Sequence, residues 1–179
     1  MSHIDSPRPP KLYRYSEQRW LERALMAGEF RLRPAADDIE YSSSRPTEQI
    51  LPFGSPASRA AMPASFLTLS LAKVWDPALF EAFPGSDCCL VIHDAEEFGE
   101  RIHHAAEQAL PNWAGIDAGI SYGVPSPLGA AFSKNKRYAN QKEWLFAWRP
   151  IEPTMSLNPV VIQIGNIEGI AELRLKGGA

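Results

Sequence analysis

The chain has 179 residues, a formal net charge of −3 at pH 7, 45% hydrophobic residues and 22% charged residues. This composition is typical of a soluble globular protein, and the length suits one domain with a single core. The net negative charge argues against a nucleic-acid-binding protein that relies on a broad basic surface.

Short apolar strands alternate with a few helical segments along the chain. In chain order the pattern predicts a strand over 12–15, a helix from the N-cap Ser16 to Gly28, strands over 29–32 and 66–70, a short helix over 76–83, a strand over 88–92, a helix from Asp94 to Ala109, and strands over 116–122, 137–148, 160–164 and 170–175. The second half is rich in strands, without regular βαβ alternation. The sequence therefore predicts a single α+β domain.

The chain has two polar, Pro-rich segments, one ahead of this domain and one within it. Residues 1–10 are Pro-rich, and we expect a flexible N-terminal tail ahead of a domain over 11–179. A second Pro-rich stretch at about 34–63 has the composition of a long loop.

The chain carries no evident signal for membranes, secretion or metal binding. No apolar run approaches the roughly 20 residues that a membrane-spanning helix needs. The N-terminal stretch MSHIDSPRPPKLYRY lacks the apolar segment of a secretory signal peptide. Cys88 and Cys89 are adjacent and have no zinc-ligand spacing. We expect a cytoplasmic protein, or one delivered into a target cell without a cleaved signal peptide, with no metal and no membrane partner.

The predicted strand over 137–148 begins with polar side chains where burial is about to start. Trp144 opens an apolar alternation, but Gln141 and Glu143 precede it, two residues apart and therefore on one face of the strand. A buried carboxylate is costly unless it is paired, hydrogen-bonded or used. Glu143 is accordingly a candidate functional residue.

Two further strands carry polar groups. Arg14 lies between Tyr13 and Tyr15, which face the other way, and Thr68 and Ser70 share one face of a middle strand. An arginine fork, a hydroxyl pair and a carboxylate could converge in one cleft. These groups suit pyrophosphate and ribose, which points to a dinucleotide. The chain has no Rossmann fingerprint and no P-loop motif.

The order of these motifs resembles the mono-ADP-ribosyltransferase fold of bacterial toxins. That fold has an Arg on its first strand, an S-T-S-like segment on a middle strand, and Q-x-E or E-x-E at the head of a later strand. The chain is also similar to a group of uncharacterised bacterial domains that open with an LYRY-type strand. The matching stretches are LYRYSEQRWLERALMAGEFRL, FLTLS and KRYANQKEW, with T-L-S in place of S-T-S.

The resemblance implies two packed, mostly antiparallel sheets with flanking helices and a cleft for NAD, which is consumed as a substrate. Glu143 would be the catalytic carboxylate that bonds the nicotinamide ribose and stabilises the cation formed as nicotinamide leaves. Arg14 would hold the NAD phosphates or the adenosine ribose, and Ser70 would brace Glu143. The remaining expected NAD contacts are Thr68, Tyr13 and Tyr15.

The resemblance also implies a macromolecular acceptor of ADP-ribose, either protein or nucleic acid. Gln141 would position this acceptor. Residues 133–139 would form the recognition loop, with Tyr138 at its tip and Lys134, Lys136 and Arg137 around it. Such a protein would be a bacterial toxin, effector or defence enzyme, with a cognate antitoxin or immunity protein as a further partner. With water as acceptor, it would be an NAD glycohydrolase.

Other interpretations stay open at this point. Glu143 could be a solvent-facing strand residue paired with Lys142 or Lys136, and Arg14 could be a surface cation. The chain could be a non-catalytic binding or immunity-type module that retains the fold. It could also be a metal-dependent nucleic-acid enzyme that uses Glu143 and Asp117.

Overall fold

The computed structural model of the protein describes residues 7–35, 66–152 and 157–178, so most of the predicted long loop lies outside the described residues. The strands are β1 Leu12–Ser16, β2 Glu29–Pro34, β3 Leu67–Ala72, β4 Cys88–Ile92, β5 Trp113–Gly119, β6 Ser121–Tyr122, β7 Ser133–Lys134, β8 Glu143–Pro150, β9 Val160–Gln163 and β10 Ala171–Leu175. The helices are α1 Gln18–Ala27, α2 Leu79–Ala82 and α3 Ala95–Ala109, with 3₁₀ helices over Ala130–Phe132 and Lys136–Gln141. This arrangement confirms the prediction of an α+β domain.

A large antiparallel sheet branches at β3. One edge of β3 pairs with β8 from Leu67↔Trp148 to Ala72↔Glu143. The other edge is shared, because β1 meets it at Tyr13↔Ala72 and β2 meets it at Arg33↔Thr68. The sheet continues from β1 to β4 and β10, from β2 to β9, and from β8 to β5. The two sheets that the resemblance implied are thus joined through β3 into one.

The two arms of the sheet enclose one apolar core with α1 and α3. Alternate residues of β1–β4 and β8–β10 point into this core, as the period of 2 requires. Phe98 and Ile102, four residues apart on one face of α3, are fully buried in this core. Core members from the other elements include Leu12, Leu21, Phe30, Leu71, Leu90, Trp144 and Phe146.

Helix α1 ends as predicted but begins differently. Gly28 follows its last residue with φ 64°, the left-handed conformation that glycine favours. Ser16, the predicted N-cap, is instead the last residue of β1, and Glu17 at the N-cap position makes no side-chain capping bond. The Gln18 amide donates to the Asp87 carboxylate at 2.8 Å, so a residue distant in sequence caps the helix.

The predicted strand over 137–148 is wrong in its first half. Lys136–Gln141 is a 3₁₀ helix, Lys142 has φ 45°, and the strand begins at Glu143. The Asn135 side chain accepts a hydrogen bond from the Arg137 amide at 3.0 Å, which stabilises the local turn. Gln141 and Glu143 therefore do not share a strand face.

The predicted strand over 116–122 divides into β5 and β6. After Gly119 the chain leaves β8, and β6 pairs in parallel with β7 through Ser121↔Ser133 and Tyr122↔Lys134. This small second sheet brings Tyr122 and Lys134 to the head of β8. Among the described residues, no helix combines the length and apolar character needed to cross a bilayer.

Candidate active site

Glu143 is buried at the head of β8 and accepts hydrogen bonds on both carboxylate oxygens. Ser70 Oγ donates to Oε1 at 2.7 Å, and the Tyr122 hydroxyl donates to Oε2 at 3.1 Å. Lys134 Nζ lies 2.9 Å from Oε1 and 2.7 Å from Oε2. The interpretation of Glu143 as a solvent-facing residue is wrong, because its side chain is only 3% exposed and is paired with Lys134.

Arg14 joins this network where the sheet branches. Strands β1 and β3 meet at Tyr13↔Ala72, and the Ser70 carbonyl lies beyond this pair on β3. Arg14 Nη1 donates to that carbonyl at 2.8 Å. Arg14, Ser70 and Glu143, which come from three strands, thus lie in one hydrogen-bonded chain. Arg14 is half-buried and bonded to the backbone, so the surface-cation interpretation is wrong.

The electrostatics of the site keep its donors protonated. Burial, with a smaller effect from the nearby positive charge of Arg33, lowers the pKa of Arg14 to about 10. The guanidinium therefore remains charged at neutral pH. Burial and the negative charge of Glu143 raise the pKa of Tyr122, so its hydroxyl remains a donor.

The hydrogen bonds of Thr68 and Tyr15 run to groups other than the Glu143 carboxylate. The Thr68 hydroxyl donates to the Arg33 carbonyl at 3.4 Å, towards β2. The Tyr15 hydroxyl donates to the Val74 carbonyl at 3.0 Å and accepts from the Asp76 amide at 2.9 Å. Tyr15 also packs in an aromatic cluster, against which Tyr13 is placed. These three residues shape the surroundings of the site.

Gln141 is 7% exposed at the end of the 3₁₀ helix. Its Oε1 has no hydrogen-bond partner among the described residues. An unsatisfied buried amide oxygen is unfavourable by about 1–3 kcal/mol. Gln141 is thus a polar group in the segment leading to Glu143 that a ligand could satisfy.

The predicted recognition loop has side chains that point to solvent and one that points to the site. Lys136 and Arg137 are exposed, and the Arg137 guanidinium lies 4.8 Å from the centre of the half-buried Tyr138 ring. Lys134 instead points inward to Glu143, with a side chain only 14% exposed. The structure therefore separates one lysine from the predicted acceptor surface.

A second polar cluster surrounds Asp117 on β5. Arg8 donates to its carboxylate at 2.7 and 2.8 Å, Trp144 Nε1 donates at 2.7 Å, and His103 Nε2 lies 2.8 Å away. Burial acts to raise the pKa of Asp117, but these bonds outweigh it and hold the pKa below its usual range. The His103 ring also contacts the Phe146 ring, so this side chain lies against the core.

The Asp117 cluster changes two other expectations. Arg8 falls within the predicted flexible tail, yet its guanidinium is docked on Asp117; residues 1–6 lie outside the described part. Asp117 pairs with Phe146, so it lies on the sheet face opposite Glu143. The interpretation that Glu143 and Asp117 together hold a metal ion is therefore wrong. Within the described ranges, no group of three or more His, Cys, Asp or Glu residues is placed to hold a metal ion.

Tyr122 and Lys134 are the site residues whose roles the sequence did not reveal. Tyr122 falls at the end of a predicted strand and Lys134 falls in a predicted loop. Their proximity depends on the parallel pairing of β6 with β7, which leaves no periodic signal in two-residue strands.

Two surface depressions in the described part of the chain lie away from Glu143. One of about 410 Å³ is lined by α3 and β9, including Ala105 and Val161. Another of about 420 Å³ lies at the start of α1, beside Asp87. Lys134 Nζ contacts both oxygens of Glu143, so a ligand that takes its place on the carboxylate must displace the ammonium group.

The chain matches no protein-family model, no curated protein and no solved structure at the level that would identify a relative.

Proposed function

We propose that the protein transfers ADP-ribose from NAD to a macromolecular acceptor, protein or nucleic acid, as a bacterial toxin, effector or defence enzyme. The observation that carries this proposal is the chain of bonds from Arg14 through Ser70 to Glu143. These residues come from three separate strands, and they are the ones that the sequence resemblance selected. A buried carboxylate with an orienting hydroxyl and a nearby guanidinium suits a ligand that has ribose and phosphate groups.

In the proposed reaction Glu143 acts on the ribose that carries nicotinamide. Ribose hydroxyls donate to the carboxylate in place of Lys134. The bond between the anomeric carbon and the nicotinamide nitrogen breaks, and nicotinamide leaves with the electron pair. The carboxylate stabilises the cationic ribose in a site from which water is excluded. The acceptor then bonds to the anomeric carbon and loses a proton; water as acceptor gives NAD hydrolysis.

The surrounding residues orient the reacting groups. Ser70 and Tyr122 hold one carboxylate oxygen each, which limits rotation of the Glu143 side chain. Arg14 is connected to Glu143 through Ser70, and it supplies positive charge for the NAD phosphates. Gln141, whose Oε1 has no partner within the described part of the chain, is the proposed contact to the acceptor. The exposed Lys136 and Arg137 extend that contact surface.

The second candidate function is a non-catalytic binding or immunity-type module. The ion pair between Lys134 and Glu143 favours it, because the carboxylate is neutralised and almost fully covered. In such a protein Lys134 would stay in place and the pair would be structural. NAD binding without release of nicotinamide, at all acceptor concentrations tested, would favour this second function.

The proposal is tested by incubating the protein with cell lysate and NAD that carries a label in its adenylate part. We expect label in the macromolecular fraction with the wild type and with Glu107→Gln, an exposed substitution on α3. Glu143→Gln should lower the rate of labelling by about 10²- to 10³-fold. Digestion of the product with protease or nuclease then identifies the acceptor class. Equal labelling by the wild type and Glu143→Gln would contradict the proposal.

A further inference from the structure

The segment between Asp117 and Glu143 has a charge opposite to that of the whole chain. The chain has a net charge of −3, but residues 118–142 contain no Asp or Glu and four basic residues: Lys134, Lys136, Arg137 and Lys142. Lys134 is paired with Glu143, and the other three side chains are exposed. The segment therefore presents a local positive surface on an acidic protein.

This positive surface belongs to the part of the chain that contacts Glu143. The segment packs on the outer face of β8 through a small apolar cluster that includes Phe132. Lys136 lies against Gly123, where an added Cβ atom would be 3.1 Å from Lys136 Cβ. Gly123 directly follows Tyr122, whose hydroxyl donates to the Glu143 carboxylate. The exposed cations are thus positioned by the same element that supplies a hydrogen bond to the candidate active site.

Carboxylates of the described residues do not compensate these cations. In the ranges 7–35, 66–152 and 157–178, none of the ion pairs includes Lys136, Arg137 or Lys142. Several arginines elsewhere are each paired with a glutamate: Arg19, Arg23, Arg101 and Arg174. At a rise of about 2 Å per residue in a 3₁₀ helix, the three cations lie within about 12 Å along the chain. Such a density of positive charge favours a polyanion.

An aromatic ring and an amide lie among the cations. The Arg137 guanidinium is 4.8 Å from the centre of the half-buried Tyr138 ring. Gln141 is 7% exposed, and its Oε1 has no hydrogen-bond partner within the described part of the chain. A ring and a guanidinium plane are surfaces on which nucleobases stack, and an amide oxygen accepts from the N–H groups of a base. An acidic protein would use the cations alone, whereas a nucleic acid would use all three kinds of group.

We propose that this surface binds single-stranded nucleic acid, so that the acceptor of ADP-ribose is a nucleobase; its residues are Lys136, Arg137, Tyr138, Gln141 and Lys142. The phosphates lie on Lys136 and Lys142, and an unstacked base lies on Tyr138 and Arg137. A single strand fits better than a duplex, because the bases of a duplex are stacked on each other. The binding surface is independent of the reaction, but the role of the base as acceptor rests on the proposed function.

In the transfer step, a nitrogen of the base forms a bond to the anomeric carbon of the ribose. Nicotinamide leaves with the electron pair of the bond that breaks, and the base loses a proton to solvent.

The test is fluorescence anisotropy of labelled single-stranded DNA and RNA of mixed sequence, titrated with the full chain at several salt concentrations. We expect Lys136→Gln and Arg137→Gln each to weaken binding about fivefold and to lower the slope of log affinity against log salt by about one. Tyr138→Leu should weaken binding about fivefold without changing that slope, because it removes the stacking ring and no charge. Tighter binding of DNA or of RNA identifies which polymer the surface takes.

Arg149→Gln is the matched control. Arg149 is exposed at the other end of β8, about 20 Å from Glu143 at 3.4 Å per residue. It should bind both polymers like the wild type, and circular dichroism establishes that each variant is folded. Affinities of Lys136→Gln and Arg137→Gln within twofold of the wild type, or no binding by the wild type, would overturn the inference. Equal competition by poly-glutamate would also overturn it and would indicate an acidic protein partner.

Nicotinamide release and labelling by the same preparations separate this inference from the proposed function. Nucleic-acid binding that Lys136→Gln weakens, without nicotinamide release from NAD by the wild type, would support the surface and contradict the transferase. Transfer of label from NAD only to protease-sensitive material in cell lysate would support the transferase and overturn the nucleobase as acceptor.

Discussion

At the scale of single residues, Glu143 is tolerated in the interior because its charge is compensated from three sides. Lys134 supplies the opposite charge, and Ser70 and Tyr122 each donate a hydrogen bond. Tyr122 has a second role, since its hydroxyl also accepts from the Glu143 amide at 2.8 Å. The same groups that stabilise the carboxylate orient it, so structure and proposed chemistry depend on the same contacts.

The ion pair makes a prediction about stability. Lys134→Met should lower the free energy of unfolding by about 3 kcal/mol, because it leaves a buried carboxylate without its counter-charge. Adding Glu143→Gln to Lys134→Met should recover much of that loss. Urea unfolding of the wild type, both single variants and the double variant measures the coupling. Strictly additive effects of the two substitutions would show that the pair is not coupled.

The sequence predicted part of this site at the residue scale. Arg14, Ser70 and Glu143 could be selected because each is a polar residue on a strand that otherwise requires apolar ones. Lys134 and Tyr122 could not be selected as partners of Glu143, because their contacts are made across 9 and 21 residues through a turn whose path is not periodic.

At the scale of elements, the turns on each side of the strands decide which side chains reach the site. Apolar alternation predicted the buried part of β8, but the polar stretch before it folds as a 3₁₀ helix. Local bonding at Asn135 outweighs the extended conformation there, and this cannot be inferred from alternation. The end of α1 was predictable, because glycine in the left-handed conformation has a specific sequence signal.

The end of α1 allows a prediction about close packing. Gly28 has φ 64°, and a Cβ atom there would overlap the Gly165 carbonyl oxygen. Gly28→Ala should therefore lower the free energy of unfolding by at least about 2 kcal/mol, from backbone strain plus overlap.

Two other glycines separate these effects. Gly85 has φ 81° with no neighbouring atom within 4 Å of the added Cβ, so Gly85→Ala should show the strain alone, about 1 kcal/mol. Gly169 also has open space and no positive φ, so Gly169→Ala should change stability by less than about 0.5 kcal/mol. Thermal and urea unfolding rank the three variants by stability. If Gly28→Ala is no more destabilising than Gly85→Ala, the overlap with Gly165 makes no contribution to the loss.

At the scale of the whole molecule, Asp117 ties distant segments together. Its carboxylate joins Arg8 before β1, His103 on α3, and Trp144 beside Glu143 on β8. The cluster lies on the core side of the sheet, and the side chains of Ser70 and Glu143 lie on the other side. The position of β8 is thus held from both faces, which limits the movement of Glu143.

This cluster predicts a pH dependence of stability. The pKa of Asp117 is lowered in the folded state, so the unfolded state binds more protons as the pH falls through the usual carboxyl pKa of about 4. The stability from Asp117 is therefore complete above that pH and is lost towards lower pH. Asp117→Asn should be less stable than the wild type by about 2 kcal/mol at pH 7. This difference should narrow as the pH falls below about 4.

Urea unfolding at pH 7 and at pH 3 measures the stability difference between Asp117→Asn and the wild type at each pH. Glu107→Gln, an exposed carboxylate on α3, is the control and should show a small difference at both values. A stability difference between Asp117→Asn and the wild type that stays constant or grows in acid would contradict this account.

If Arg14, Ser70 and Glu143 form an NAD site, the purified protein should release nicotinamide from NAD. We predict release by the wild type and by Glu107→Gln, and a rate lower by about 10²- to 10³-fold in Glu143→Gln. Ser70→Ala should lower the rate less, since it removes only one bond to the carboxylate. Circular dichroism of each variant establishes that it is folded. Equal release by the wild type and Glu143→Gln, or neither NAD binding nor release by the wild type, would contradict the claim.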